Sequence, residues 1–311
     1  MSISRFVGCI VGSAMGDALG ASFEGSLSVS SSQDIHFGGR WTDDTHMMIG
    51  MAESLIANKG FSADHMAQTF MSNWEKQPWR GYGPGPPRIF KMMKLGVPWQ
   101  DAAKQLYDGT GSYGNGAAMR VAPIGILYHN DKEKLRETAI MSAEITHTHK
   151  LGKEGAAIQA YAVSLALQTE TNTLKPETFL EKIIDFTKNE SYKAKLKKAK
   201  HLLPIQEKRE ITRQLGNSIE ALNSVPTAIY CFAKNHQDYT KAVSYAVSLG
   251  GDTDTIGAMT GAISGAFHGQ EKLPPTWKQK LEKSEYLSDL AQKLWKLKTS
   301  FSNQNHETPK V

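Results

Sequence analysis

Two short acidic stretches carry the residue types that could do chemistry. Thr42-Asp43-Asp44-Thr45 follows a glycine-rich loop and opens a helical run, Met47 to Ala57. A helix N-cap needs one Asp or Thr, and four consecutive oxygen-bearing residues exceed that need. Gly250-Gly251-Asp252-Thr253-Asp254-Thr255 opens a second run, Ile256 to His268. Gly257, Ala258, Gly261, Ala262, Gly265 and Ala266 leave that run almost no bulk on one side. Glycine weakens a helix by up to ~1 kcal/mol per residue relative to alanine, so three of them imply very close packing against a neighbour. Aspartates at the mouth of such a central helix are poorly solvated, and a divalent cation offsets the cost of burying them. Neither stretch contains Cys or His. An all-oxygen donor set selects hard cations, Mg²⁺, Mn²⁺ or Ca²⁺, and the ligand count suits two ions that share carboxylates. A third acidic position, Gly16-Asp17-Ala18-Leu19-Gly20 followed by Glu24, ends a segment of small residues. Taken alone, Glu24 reads as a surface residue.

Gly111-Ser112-Tyr113-Gly114-Asn115-Gly116 is a loop whose backbone N–H groups can face an anion, with a helical run expected after it. Tyr107 and Tyr113 flank it. Aromatic rings beside an anion nest suit a nucleotide whose base stacks on a ring, although a plain turn with core tyrosines has the same composition. His147 and His149 are spaced i, i+2 and do not form a metal-binding pair on a helix face. Contact of one with a phosphate or hydroxyl, or capping by both, remains open from their spacing.

These residues need elements to position them, and the elements read as helix after helix. Apolar residues recur at helical spacing in 46–57, 134–145, 153–168, 219–233 and 240–249. Alternating β-branched runs are scarce, so an all-α domain is expected. Breakers place loops at 25–40, 81–87 and 108–116; the second, Gly-Tyr-Gly-Pro-Gly-Pro-Pro, is expected to be non-helical throughout. No linker divides the chain. Residues 1–298 read as one domain and 299–311 as a polar tail that frays.

Composition bounds the class. The chain has 311 residues with a hydrophobic fraction of 40% and a charged fraction of 22%, ordinary for a globular protein. Its formal charge of +5 is local: residues 187–213 hold nine Lys and Arg against three Glu, a net of +6, so the remainder sums to −1. That is not the balance of a nucleic-acid binder, and the Lys-rich stretch reads as a solvated helix face. No apolar run approaches the ~20 residues of a membrane span. Phe6 to Met15 is read as a core helix rather than a signal segment, since Gly8, Gly12 and Asp17 interrupt it. Cys9 and Cys231 sit in apolar runs and read as buried free thiols, which favours a reducing, cytoplasmic setting; the chain is expected to be monomeric.

Together, the Gly16–Gly20 segment with Glu24, the Thr42–Thr45 motif and the Gly250–Thr255 motif resemble the ADP-ribosylglycohydrolase family. Gly81-Tyr82-Gly83, Gly111 to Arg120 and the stretch Ser224 to Phe232 resemble its ADP-ribosylhydrolase 3 branch. The resemblance implies a single-domain orthogonal helical bundle with a dinuclear Mg²⁺ centre in a cleft. It implies binding of ADP-ribose and hydrolysis at its terminal ribose, with serine-linked ADP-ribose on proteins, poly(ADP-ribose) and O-acetyl-ADP-ribose as substrates. By the same resemblance Thr42, Asp43, Asp44, Asp252, Asp254 and Thr255 match metal ligands. Glu24 matches a mobile glutamate that binds metal and takes part in catalysis, with Asp44 beside it. Gly111, Ser112, Tyr113, Gly114 and Asn115 match a diphosphate loop, and Tyr107 and Tyr113 an adenine-stacking pair. His147 matches a histidine near the diphosphate and ribose, and Asp17 an aspartate close to Glu24. Removal of ADP-ribose from arginine, or a silent ADP-ribose-binding module, are the rival readings.

Overall fold

The computed structural model describes residues 2–25 and 36–304. Seventeen α-helices and one 3-10 turn, with no strand, make up the described residues. The only sheet-like feature there is an antiparallel bridge between Gly114 and Glu220. The all-α expectation holds. No helix among the described residues is long and apolar enough to cross a membrane.

Two helices form the centre. Ile3–Gly20 is buried on every side from Phe6 onward, and Thr253–His268 is buried from Thr253 to Phe267. They run antiparallel with their backbones in contact. Gly8, Gly12 and Gly16 of one face Gly265, Gly261 and Gly257 of the other, and Gly20 faces Thr253. A methyl group added at Gly12 would lie 2.7 Å from the Gly261 carbonyl oxygen, far inside van der Waals contact. The close packing expected of the glycine-rich helix is therefore present. Its partner is the segment whose glycines, read alone, only argued against a signal peptide. Thr253 donates to the Gly20 carbonyl (2.8 Å), fastening the pair at one end, and Tyr239 of a neighbouring helix donates to the Gly12 carbonyl (2.7 Å).

Around this pair pack Lys150–Gln168, Ala221–Lys234, Tyr239–Ser248 and Ser284–Gln304. The helix Asp43–Ala57 is fixed at its start by Trp41, whose Nε1 donates to the Glu282 carbonyl at 2.9 Å. Arg80 lies 3.7 Å over the Trp41 ring and donates to both Glu282 carboxylate oxygens. Cys9 and Cys231 are buried free thiols, as expected. The Lys-rich stretch forms the helices Glu190–His201 and Lys208–Leu215, which bury Tyr192, Leu196, Ala199, Ile211 and Leu215 and leave most of their basic residues exposed or half-buried.

Two expectations change. Gly85, Pro86 and Pro87 are helical, in the first turn of Gly85–Lys94. Proline has no N–H to offer, and the first helical turn asks for none, so the loop ends at Pro84. The last helix runs to Gln304, past the boundary at 298; the rest of the expected tail, 305–311, lies outside the described residues. So does most of the expected 25–40 loop.

Candidate functional site

The first acidic motif sits where the helix Asp43–Ala57 begins, with Thr42 as N-cap accepting from the Asp44 N–H. The second sits where Thr253–His268 begins, with Asp252 as N-cap. Glu24 lies just past the end of the first helix, and the neighbouring Gly25 N–H donates to the Gly251 carbonyl at 2.9 Å. The antiparallel central pair thus brings the end of one helix to the start of the other. One carboxylate oxygen from each of Glu24, Asp252 and Asp254 lies within 4.8 Å of the others.

These three, with Asp43, Asp44 and Thr255, line one cleft. Its remaining wall comes from Gly81, Gly83 to Pro86, Tyr107, Ser112, Gly114 to Gly116, Met119, Thr146, His147 and Ile219. Asn115 ties the two halves together: its amide donates to Asp252 and to Ser224 Oγ.

The carboxylates repel one another in a dry setting. Asp254 is pushed up to about 8 by burial and by Asp252. Asp43 and Asp44 are held well above the usual range by burial, then by Asp254 and Asp17. Asp252 is raised by burial, and Glu24 by Asp254 first and burial second. Asp44 Oδ1 is buried with no hydrogen-bond partner among the described residues.

One expected site residue stands behind the wall. Asp17, expected near the substrate, is fully buried and does not line the cleft. Its carboxylate accepts from the Thr42 and Thr45 N–H groups (both 3.0 Å) and from both hydroxyls (2.9 and 2.6 Å). It pins the first acidic motif to the central helix. Burial and the charge of Asp254 raise it to about 7, against those bonds. Thr42, expected to bind metal, is half-buried beside the cleft, its hydroxyl 2.9 Å from Asp17 Oδ1 and 3.3 Å from Asp44 Oδ2.

The glycine loop is more committed than its composition suggested. The Gly111 N–H donates to the Leu106 carbonyl (3.1 Å), Gly114 to Ser112 Oγ (3.2 Å) and Asn115 to the Ile219 carbonyl (3.0 Å). The nest's donors reduce to the N–H groups of Ser112, Tyr113 and Gly116. The helical run expected after it is the short turn Gly116–Met119, too brief for a strong dipole. Tyr107 lines the cleft, with a positive φ of 52°. Tyr113 does not; it is 49% exposed and meets His149 edge-on at 5.6 Å.

His147 is buried in the cleft wall and His149 caps Lys150–Gln168 by accepting from the Leu151 N–H. Ile219, 68% exposed on the cleft rim, escaped notice in the sequence. A lone isoleucine ahead of an apolar helix reads as core, whereas the bridge formed by the Asn115 N–H on the Ile219 carbonyl and the Ala221 N–H on the Tyr113 carbonyl sets it beside the glycine loop.

Known proteins share this architecture. A family model described as ADP-ribosylglycohydrolase matches residues 2–303. The ADP-ribosylhydrolase ARH3 of Gallus gallus is 36% identical, over 94% of this chain and 93% of its own. The ADP-ribosylhydrolase ARH3 of Homo sapiens is 35% identical, over 94% and 93%. A solved structure titled as an ADP-ribosylglycohydrolase-related protein complex superposes with a TM-score of 0.77 at 25% identity, covering 95% of this chain and 98% of that one. With the acidic motifs converging at the ends of the central helix pair, this chain belongs to the ADP-ribosylglycohydrolase family of glycosidase-type hydrolases.

Proposed function

We propose that this chain hydrolyses the bond at the anomeric carbon of the terminal ribose in serine-ADP-ribosylated protein, poly(ADP-ribose) or O-acetyl-ADP-ribose, releasing ADP-ribose. One observation carries the reading: five carboxylates and a threonine from three distant segments face one cleft whose other wall holds the glycine loop and Tyr107.

The residues fit a pair of Mg²⁺ ions, with Mn²⁺ as a substitute. The donors are oxygens, an Asp44 oxygen lacks a partner, and Glu24, Asp252 and Asp254 converge. Thr42, Asp43, Asp44, Asp252, Asp254, Thr255 and Glu24 would hold the ions. Such ions supply Lewis acidity and lower the pKa of a water.

The chain's own groups do the rest. Ser112 and the glycines beside it hold the diphosphate, and Tyr107 offers its ring to the adenine, which fixes the anomeric carbon before reaction. Positive charge grows on the ribose as the bond breaks, and the surrounding carboxylates favour it. Glu24, raised by Asp254, takes the proton of the attacking water and returns one to the leaving oxygen. Asp44 lies in the same wall and orients that water.

Serine-, arginine- and acetyl-linked ADP-ribose, turned over side by side with and without chelator, test the reading. Intact ADP-ribose from the serine or acetyl substrate, lost in chelator, is expected. AMP as product, or turnover of the arginine substrate alone, would overturn it.

A further inference from the structure

Arg120 is a charged side chain with no exposed surface. It follows the turn Gly116–Met119, behind the cleft wall. Its Nη2 donates to the Ser142 carbonyl (3.0 Å) and to Thr146 Oγ1 (2.8 Å). Its Nη1 reaches Met47 Sδ at 3.7 Å, and its plane lies 4.8 Å from the Phe70 ring centre. Burying a guanidinium on carbonyl, hydroxyl and sulfur contacts costs free energy, and nothing in the chemistry above uses it.

The direction of the hydrogen bonds shows what it does. A guanidinium only donates, so Thr146 Oγ1 accepts from Arg120. The Thr146 hydroxyl keeps one proton to give, and His147 Nδ1 lies 2.7 Å away. Thr146 is fully buried. If His147 carried its proton on Nδ1, the hydroxyl would receive two donors and its own proton would have no acceptor among the described residues. Nδ1 is therefore bare and the proton sits on Nε2. Burial and the Arg120 charge push His147 down to about 3, so the ring is neutral. The Nε2 edge borders the glycine loop: a Cβ added at Gly116 would fall 3.1 Å from Nε2, and one at Gly114 3.6 Å.

We propose that Arg120 and Thr146 are positioning residues that lock His147 in the Nε2–H tautomer, so that it offers the cleft a neutral donor for an anionic oxygen beside the glycine loop. The donor role rests on the reading that the cleft takes ADP-ribose; the tautomer does not.

Nitrogen-15 NMR of the intact, ligand-free chain decides the tautomer without any substitution. A pyridine-like Nδ1 and a pyrrole-like Nε2 on His147 are expected, and the reverse assignment would overturn the proposal. Thr146→Val keeps the shape and removes the hydroxyl, while Thr146→Ser restores it. By calorimetry the valine variant should bind ADP-ribose roughly 10-fold more weakly and lose the single tautomer, and the serine variant should stay within about twofold of wild type. A valine variant with wild-type spectrum and affinity would overturn the relay. Should wild type not bind ADP-ribose at all, the functional reading fails instead, and the spectrum still decides the tautomer.

Discussion

At the scale of single residues, Glu24 and Asp254 separate proton handling from ion holding. Glu24→Gln keeps size and removes the basic lone pair, so turnover should fall by about 10²–10⁴-fold while ADP-ribose affinity changes little. Asp254→Asn weakens the ligand set itself, so divalent-ion affinity and turnover should fall together. Calorimetry and initial rates on both variants check this, and a Glu24→Gln enzyme with more than about half of wild-type rate would remove the glutamate from the mechanism. The tyrosines separate in the same way. Tyr107 lines the cleft and Tyr113 leans on His149, so Tyr107→Ala should lower ADP-ribose affinity by roughly 1–3 kcal/mol, and Tyr113→Ala by less. Equal losses in titration would place both rings on the base. The carboxylates were legible from residue type, because unpaired buried acids ask for a partner. The separation of Asp17 from the cleft was not. It depends on which oxygens the Thr45 and Thr42 donors occupy, a three-dimensional fact that motif spacing does not encode.

At the scale of elements, the glycine rows set where the site forms. Gly12→Ala or Gly261→Ala would drive a methyl into the opposite backbone, where no flexible side chain can yield. Each should destabilise by at least the about 1–3 kcal/mol typical of overpacking, read from denaturant midpoints. Gly38 has open space around it and no positive φ, so Gly38→Ala should fall within about 0.5 kcal/mol of wild type; equal effects would deny the close approach. Helix existence was legible from periodicity, and the runs at 46–57, 134–145, 153–168, 219–233 and 240–249 all fall within or nearly within observed helices. Starts were harder to read. Pro86 and Pro87 break a helix interior and suit its first turn, and composition alone does not say which applies. Nor did it show that one row of glycines was waiting for the other, since each row looks like a defect until both are side by side.

At the scale of the whole molecule, buried acids and buried histidines make opposite demands on pH. In the metal-free fold Asp254 sits at about 8 and Asp17 at about 7, against about 3.9 in an unfolded chain. The folded chain then holds the extra protons, so this contribution is full below about 3.9 and is lost progressively as pH rises to 7 and 8. His46 and His129 sit at about 4 and His147 at about 3, below the about 6.5 of an unfolded chain. Their contribution is present above that value and is lost as pH falls. In chelator the melting temperature should drop between pH 6.5 and 8 and flatten below 6.5, where the two groups offset each other. Saturating Mg²⁺ should abolish the alkaline drop. Calorimetric scans check this, and a metal-free Tm that rises from 6.5 to 8 would contradict it.

The Thr253–Gly20 bond joins residues 233 positions apart. A ribosome extends a chain at about 5–20 residues per second, so the first helix emerges roughly 10–50 s before the helix that covers it. From Phe6 onward it is mostly apolar, and its glycines weaken it in isolation. For that interval it has no folded partner, and every nascent copy presents it as bare sticky surface. Helpers that shield such segments during synthesis should therefore govern the yield of this protein more than its final stability does.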